Sequence, residues 1–231
     1  TPEELKRAKI QHETRFLRGL EQIGGFRGKA DLLNQWNIYT GDPGYYLQDL
    51  QNHREVTRAG LKEWAGNYLR KNQRAVLHMV PSKFSTGKAQ QDAGYDRSVM
   101  PGSAGETAFQ PAEIQAGELS NGLQVYVVEK HDLALVEVHV NILSGWSADP
   151  VDRPGTAALT ATMLDEGAGG LGALELADQT AALGARLGSR SYFDGSTIRL
   201  NVSTPMLAEG LQLMGKIVLD PEFPDNEFQR V

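Results

Sequence analysis

The sequence predicts an α+β fold, with helices packed on mainly antiparallel sheets and two structured portions joined by a long linker. Apolar residues recur at helical spacing through most of residues 1–69. Residues 133–143 instead alternate apolar and polar side chains, which is typical of a strand with one buried face. Beyond residue 114 the predicted order is strands, helices, strands and a helix, which favours an antiparallel sheet.

The N-terminal portion is predicted to be mostly helical and to span residues 1–81. Thr1, Pro2 and Glu4 form a capping-box start, with proline at the first helical position. Pro81 closes the portion after a short strand pattern. In chain order, helices are predicted over residues 1–23, 29–36, 46–50 and 57–69, and a strand over residues 74–80.

Residues 82–113 lose all sustained apolar periodicity and are rich in Ser, Gly, Ala, Gln and Asp, so they are predicted to be a linker. The C-terminal portion then spans residues 114–231. Asn121 and Gly122 form the strongest short-range hairpin signal in the chain. The predicted strands are 118–129 as a hairpin, 133–143, 185–192 and 196–203, and the predicted helices are 156–164, 173–183 and 204–219.

The composition excludes several classes of function. The 231 residues carry a net charge of −6, which argues against a nucleic-acid partner because phosphate backbones are bound by clustered basic residues. No apolar run approaches the length of a membrane span. The absence of cysteine excludes disulfides and thiolate metal sites, but it leaves the compartment unknown, with bacterial periplasm and cytoplasm both open.

Four local patterns favour structural over functional interpretations. Gly167, Gly169 and Gly172 satisfy G-x-G-x-x-G, but a helix precedes them where a dinucleotide site needs a strand, so a loop between two helices is expected. Asp165 and Glu166 are expected to be a solvated helix end, because adjacent helical side chains point apart. His12-Glu13 does not continue into H-E-x-x-H. The five histidines, at positions 12, 53, 78, 131 and 139, show no metal-ligand spacing.

Several short runs, taken in their order along the chain, resemble the insulinase and pitrilysin family of zinc metallopeptidases. The mitochondrial processing peptidases and the core proteins of respiratory complex III belong to the same family. Residues 119–125, 154–155 and 221–223 resemble the start of one family repeat, and residues 16–20, 41–43 and 56–57 resemble the end of another. The resemblance implies that residues 1–81 are the C-terminal part of a peptidase-like repeat. Residues 114–231 are then the N-terminal part of a second repeat.

The resemblance also implies where a zinc site should lie. Active members carry H-x-x-E-H on a helix, with two histidines as zinc ligands and the glutamate as general base. The matching positions here are Ala158, Ala161 and Thr162. Methyl groups and one neutral hydroxyl neither hold zinc nor accept a proton from its water. The second repeat is therefore expected to be inactive, with no catalytic, cofactor-binding or metal-binding residue in this fragment. Zinc is expected elsewhere in the parent protein.

Two functions from different classes remain open. In the first, the chain is the non-catalytic portion of a zinc metallopeptidase, forming a chamber wall and a binding surface for peptides or unfolded polypeptide. The zinc site then lies in an upstream repeat or a homologous partner subunit. In the second, the parent is an inactive scaffold or assembly protein of the same family. The expected partners are a polypeptide substrate and the other repeat or subunit.

Overall fold

The computed structural model describes residues 1–79, 108 and 110–231, and within them the α+β prediction is confirmed. The chain divides into two compact units. The first combines residues 1–63 with residues 131–231, and the second comprises residues 64–130. No helix in the described residues is both long enough and apolar enough to cross a membrane.

Eight α-helices are found in the described part of the chain, mostly where apolar periodicity predicts them. They are α1 (Pro2–Gly19), α2 (Lys29–Thr40), α3 (Tyr46–Glu55), α4 (Arg58–Tyr68), α5 (Thr156–Met163), α6 (Ala173–Ala182), α7 (Leu207–Leu219) and α8 (Asp225–Arg230). The Thr1 hydroxyl accepts the Glu4 backbone N–H at 3.2 Å, which completes the predicted capping box. α1 ends at Gly19, four residues before the predicted end at residue 23.

Seven strands form three antiparallel sheets in the described residues. The strands are β1 (Gln115–Glu118), β2 (Gln124–Val127), β3 (Leu135–Ile142), β4 (Gly167–Ala168), β5 (Leu171–Gly172), β6 (Arg186–Ser191) and β7 (Ser196–Ser203). β1 and β2 form the predicted hairpin, with Gly122 at a φ of 85°. The main sheet has the order β3-β7-β6, and β4 and β5 form a separate two-stranded sheet, with one further bridge from Ala168 to Pro221.

One face of the main sheet supplies the core of the first unit. Ile198, Leu200 and Val202 alternate along β7 and are almost completely buried against Met214 of α7. A second cluster joins Leu176 of α6 to Leu213 and Ile217 of α7. The polar residues that alternate with these apolar residues lie on the opposite face of the sheet. The sequence pattern therefore correctly predicts which face is buried.

α1 packs against the C-terminal portion of the chain, so residues 1–63 are not packed separately from residues 131–231. Arg18 donates from Nη2 to the Gly184 carbonyl at 2.7 Å and from Nε to the Asn201 side chain at 2.6 Å. Gln11 donates to the Ala181 carbonyl at 3.1 Å. The assignment of residues 1–81 and 114–231 to two family repeats stays a prediction.

Two predicted elements differ in the structure. Residues 74–79 form no strand and pair with none of the strands in the described residues, and Val80 lies outside those residues. The predicted linker at residues 82–113 also lies largely outside them. Residues 167–172, predicted as a loop, form the small hairpin β4-β5, with Gly169 and Gly170 at the turn with φ values of 59° and 76°.

Candidate functional site

Helix α5 carries the positions at which the resemblance places a zinc motif. Asp149 sets the start of this helix, because its carboxylate accepts the backbone N–H groups of Gly155 at 2.7 Å and Ala157 at 2.8 Å. Gly155 has a φ of 93°, a conformation that favours glycine. The predicted helix over residues 156–164 is therefore present, ending at Met163.

The two histidine-equivalent positions lie one turn apart on the exposed side of α5. Thr162 donates its hydroxyl to the Ala158 carbonyl at 2.9 Å, so even this polar group is used within the helix. Ala161, at the glutamate-equivalent position, is only 4% exposed. Its carbonyl accepts the Ser189 hydroxyl of β6 at 2.5 Å. The helix thus faces the sheet through Ala161 and presents Ala158 and Thr162 outward.

These side chains do not fit a zinc ion. A tetrahedral zinc site needs nitrogen, sulfur or carboxylate ligands, and none of the three positions offers one. Within residues 1–79, 108 and 110–231, no group of three or more His, Cys, Asp or Glu side chains has a metal-binding arrangement. The zinc expected in the parent protein stays a prediction.

A cleft of about 350 Å³ lies between α5 and the end of the main sheet. Ala161 and Thr160 line it from the helix, and Ser189, Ser196 and Thr197 line it from β6 and β7. The Thr197 hydroxyl is buried without a hydrogen-bond partner in the described part of the chain. Sequence reasoning missed this cleft, although Ser189 and Ser196 occupy positions on the core side of strands, where small polar residues are unusual.

Asp165 and Glu166 are less solvated than the sequence indicates. Glu166 forms an ion pair with Arg230 of α8, and its side chain is only 17% exposed. Burial raises the pKa of the Asp165 carboxyl, and the neighbouring Glu166 charge adds to this, although Asp165 as a residue remains exposed. They border a larger cleft of about 900 Å³ that Arg18 and Arg186 also line.

His12 and His53 form a pair that sequence spacing does not reveal. Their rings stack with centroids 3.8 Å apart and planes within 9° of parallel, His12 from α1 and His53 from α3. In stacked rings the nitrogen atoms lie side by side and do not point toward one ion. The two histidines therefore do not form a metal site. The His53 Nδ1 atom lies 2.8 Å from the Asp49 carbonyl.

The glycine hairpin β4-β5 uses its backbone donors within the protein. Gly169 donates its N–H to the Asp220 carbonyl at 2.9 Å, and Gly170 donates to the Glu222 carboxylate at 2.6 Å. A dinucleotide site needs such N–H groups for phosphate oxygens and a preceding strand from a parallel sheet. The glycine pattern is therefore explained by the turn and by contacts with the segment after α7.

No protein-family model and no curated protein matches the chain. Solved structures are similar to it, among them the following two. One is the inactive domain of a peptidase M16 from Pseudomonas fluorescens, with 28% identity over 51% of this chain and a TM-score of 0.48. The other is a protease from Helicobacter pylori, with 21% identity over 52% of this chain and a TM-score of 0.48. This chain spans 29% of the length of each.

Proposed function

We propose that this chain is a non-catalytic portion of a zinc-metallopeptidase-like protein of the insulinase and pitrilysin type. The observation that carries the proposal is helix α5. It starts after Pro154-Gly155, as the resemblance requires, and holds its two histidine-equivalent positions one turn apart on an exposed face. Ala158 and Thr162 leave that face without metal ligands, and the buried Ala161 provides no general base.

In this proposal the main sheet contributes a chamber wall and a surface for peptides or unfolded polypeptide. The zinc site lies in an upstream repeat or in a homologous partner subunit. Strand β6 supports this role, because among the described strands it pairs with β7 alone, so that its other edge retains backbone groups for pairing. An extended peptide can add to such an edge as a further strand.

The direct test is metal analysis after dialysis, together with a quenched-fluorescent peptide assay on the 231-residue chain. We expect no stoichiometric zinc and no chelator-sensitive cleavage, because no side chain of α5 provides a ligand. The triple variant Ala158→His, Ala161→Glu, Thr162→His is expected to give little activity as well, since zinc needs a third protein ligand. One zinc per wild-type chain with chelator-sensitive turnover would contradict the proposal.

A binding measurement separates the proposal from the scaffold alternative. A fluorescent, permanently unfolded polypeptide should bind the chain if the sheet forms a substrate wall. Absence of binding, with a folded chain by circular dichroism, would favour an inactive scaffold.

A further inference from the structure

The face of the main sheet that does not pack on α7 carries a cluster of arginines. Arg186 and Arg190 lie on β6 and Arg199 lies on β7, and all three are exposed. Arg199 is paired with Gly188, which lies midway between the two β6 arginines. Diagonal neighbours across antiparallel strands are about 7–8 Å apart, so all three side chains start from one small area. We call this area the arginine face.

The arginine face has no ion pair of its own in the described part of the chain, although Asp165 and Glu166 line the same cleft as Arg186. Among the described residues, no carboxylate forms an ion pair with Arg186, Arg190 or Arg199 within 4.0 Å. Arg190 lies over the Tyr192 ring at 5.5 Å, an arrangement that leaves its charge in place. Glu137, a carboxylate on the same side of β3, is hydrogen-bonded to His139 at 2.7 Å.

Burial and the charge of this face both lower the pKa of a fourth arginine, Arg18. Arg18 of α1 reaches the end of the same face through Asn201, the strand partner of Arg186. Burial lowers the pKa of the Arg18 guanidinium, and repulsion from Arg186 lowers it further. The local excess of positive charge contrasts with the net charge of −6 for the whole chain.

Gly188 leaves open space at the centre of the arginine face. A Cβ atom built on Gly188 would meet no heavy atom within 4 Å. A ligand can therefore approach the backbone of β6 with arginines on three sides. Arginine is suited to this role because its planar guanidinium binds carboxylates through two parallel hydrogen bonds.

We propose that the arginine face binds an acidic segment of a polypeptide. Arg186 and Arg190 lie four residues apart along β6, a distance of about 13 Å, with Arg199 between them. Carboxylates on alternate residues of an extended peptide repeat at about 7 Å and match this spacing. A net acidic chain disfavours a nucleic acid, whose dense phosphate charge is repelled over a large area. The proposal holds whether or not the chain belongs to a peptidase.

The test is fluorescence anisotropy with a labelled glutamate-rich peptide, and a lysine-rich peptide of the same length as the opposite-charge probe. The triple variant Arg186→Gln, Arg190→Gln, Arg199→Gln should weaken binding of the acidic peptide on the order of tenfold or more. The matched control is Arg27→Gln, Arg58→Gln, Arg153→Gln, which removes the same charge from exposed positions elsewhere. It should retain most of the affinity.

A second variant distinguishes a loss of affinity at the arginine face from a loss caused by misfolding. Gly188→Glu places a carboxylate among the three arginines where space is available, and it should block the peptide while circular dichroism stays unchanged. The proposal is overturned if the wild-type chain does not bind the acidic peptide, or if the two triple variants lose affinity equally. Tighter binding of a single-stranded oligonucleotide than of the peptide would also overturn it.

Discussion

The imidazoles of His12 and His53 stand face to face between α1 and α3, surrounded by charged groups from both helices. From α1 these are Glu13 and Arg15, and from α3 Asp49. Burial is the main cause that lowers the pKa of His12, and the charge of His53 lowers it further. Asp49 and Glu13 act in the opposite direction. Protonation of His12 is therefore expected to weaken the contact between the two helices.

The sign of the pH dependence follows from the lowered pKa of His12. The folded state holds this proton less tightly than the unfolded state, whose histidine pKa is about 6.5. Above the pKa of His12 in the unfolded state, neutral His12 contributes its full stability. This stability is lost as the pH falls through the pKa of His12 in the folded state. We therefore expect the free energy of unfolding to decrease as the pH falls below the ordinary histidine pKa of about 6.5.

NMR titration of the His12 ring checks this expectation. The pKa of His12 should lie below its ordinary value in the wild-type chain and should rise in His53→Gln, which removes the like charge. Asp49→Asn should move it in the other direction, because a neighbouring negative charge is lost. A wild-type pKa at or above the ordinary value would contradict the burial of His12 beside His53.

The residues at the zinc-motif positions were correctly placed on a helix by sequence reasoning. Spacing alone puts positions 158 and 162 on one side of a helix, and both are exposed. Spacing does not show that Ala161 is buried beneath Ser189, because that contact joins residues 28 positions apart. The stacking of His12 on His53 was missed because these residues also lie far apart in the sequence.

Asp149 determines where α5 begins, and its contribution to the element can be measured. Asp149→Ala removes an acceptor from the N–H groups of Gly155 and Ala157, which should lower the free energy of unfolding by about 1–2 kcal/mol. Chemical denaturation gives this value. Asp152→Ala, in the same loop, removes an exposed carboxylate and should change stability far less. Equal effects of the two substitutions would contradict the capping role.

Elements with a local signal and the long strands of the main sheet were predicted well, whereas the isolated strand pattern at residues 74–79 and the short hairpin β4-β5 were not. The capping box at Thr1 and the Asn121-Gly122 turn depend on residues close in sequence, and both are present. Residues 74–79 have a strand composition, but no strand in the part of the chain that the structure describes pairs with them. The turn at Gly169 and Gly170 was hidden because strands of two residues are too short to show alternation.

The packing of α1 onto the C-terminal portion depends on Gly184, which lies at a φ of 60°. A Cβ atom at this position would lie 2.6 Å from the Thr14 hydroxyl and 3.0 Å from the Ile10 side chain. Gly184→Ala should therefore cost more than the roughly 1–2 kcal/mol expected for an unfavourable backbone conformation alone. The excess is the cost of displacing α1.

Gly170→Ala is the matched control, because Gly170 also has a positive φ but no heavy atom near its Cβ position. Hydrogen exchange measured by mass spectrometry should show faster exchange in α1 for Gly184→Ala and little change there for Gly170→Ala. Unchanged exchange in α1 for both variants would show that α1 does not pack at Gly184.

The sequence predicted the fold class of the whole molecule but not its division into units. The loss of periodicity after residue 81 suggested two bodies divided there, whereas residues 1–63 share a unit with residues 131–231. The contacts responsible, such as Arg18 with Gly184 and Asn201, join polar groups whose types are common on any surface. No periodic pattern distinguishes a tertiary partner from a solvated side chain.

The contact between α1 and α6 also has a consequence for biosynthesis. Arg7 bonds to Asp178, which is 171 positions further along the chain. At translation rates of about 5–20 residues per second, the ribosome makes the partner of α1 roughly 10–30 s after α1 itself. During that interval α3, which follows much sooner in the chain, can already pack on α1 through His12 and His53, but the side of α1 that faces α6 stays uncovered.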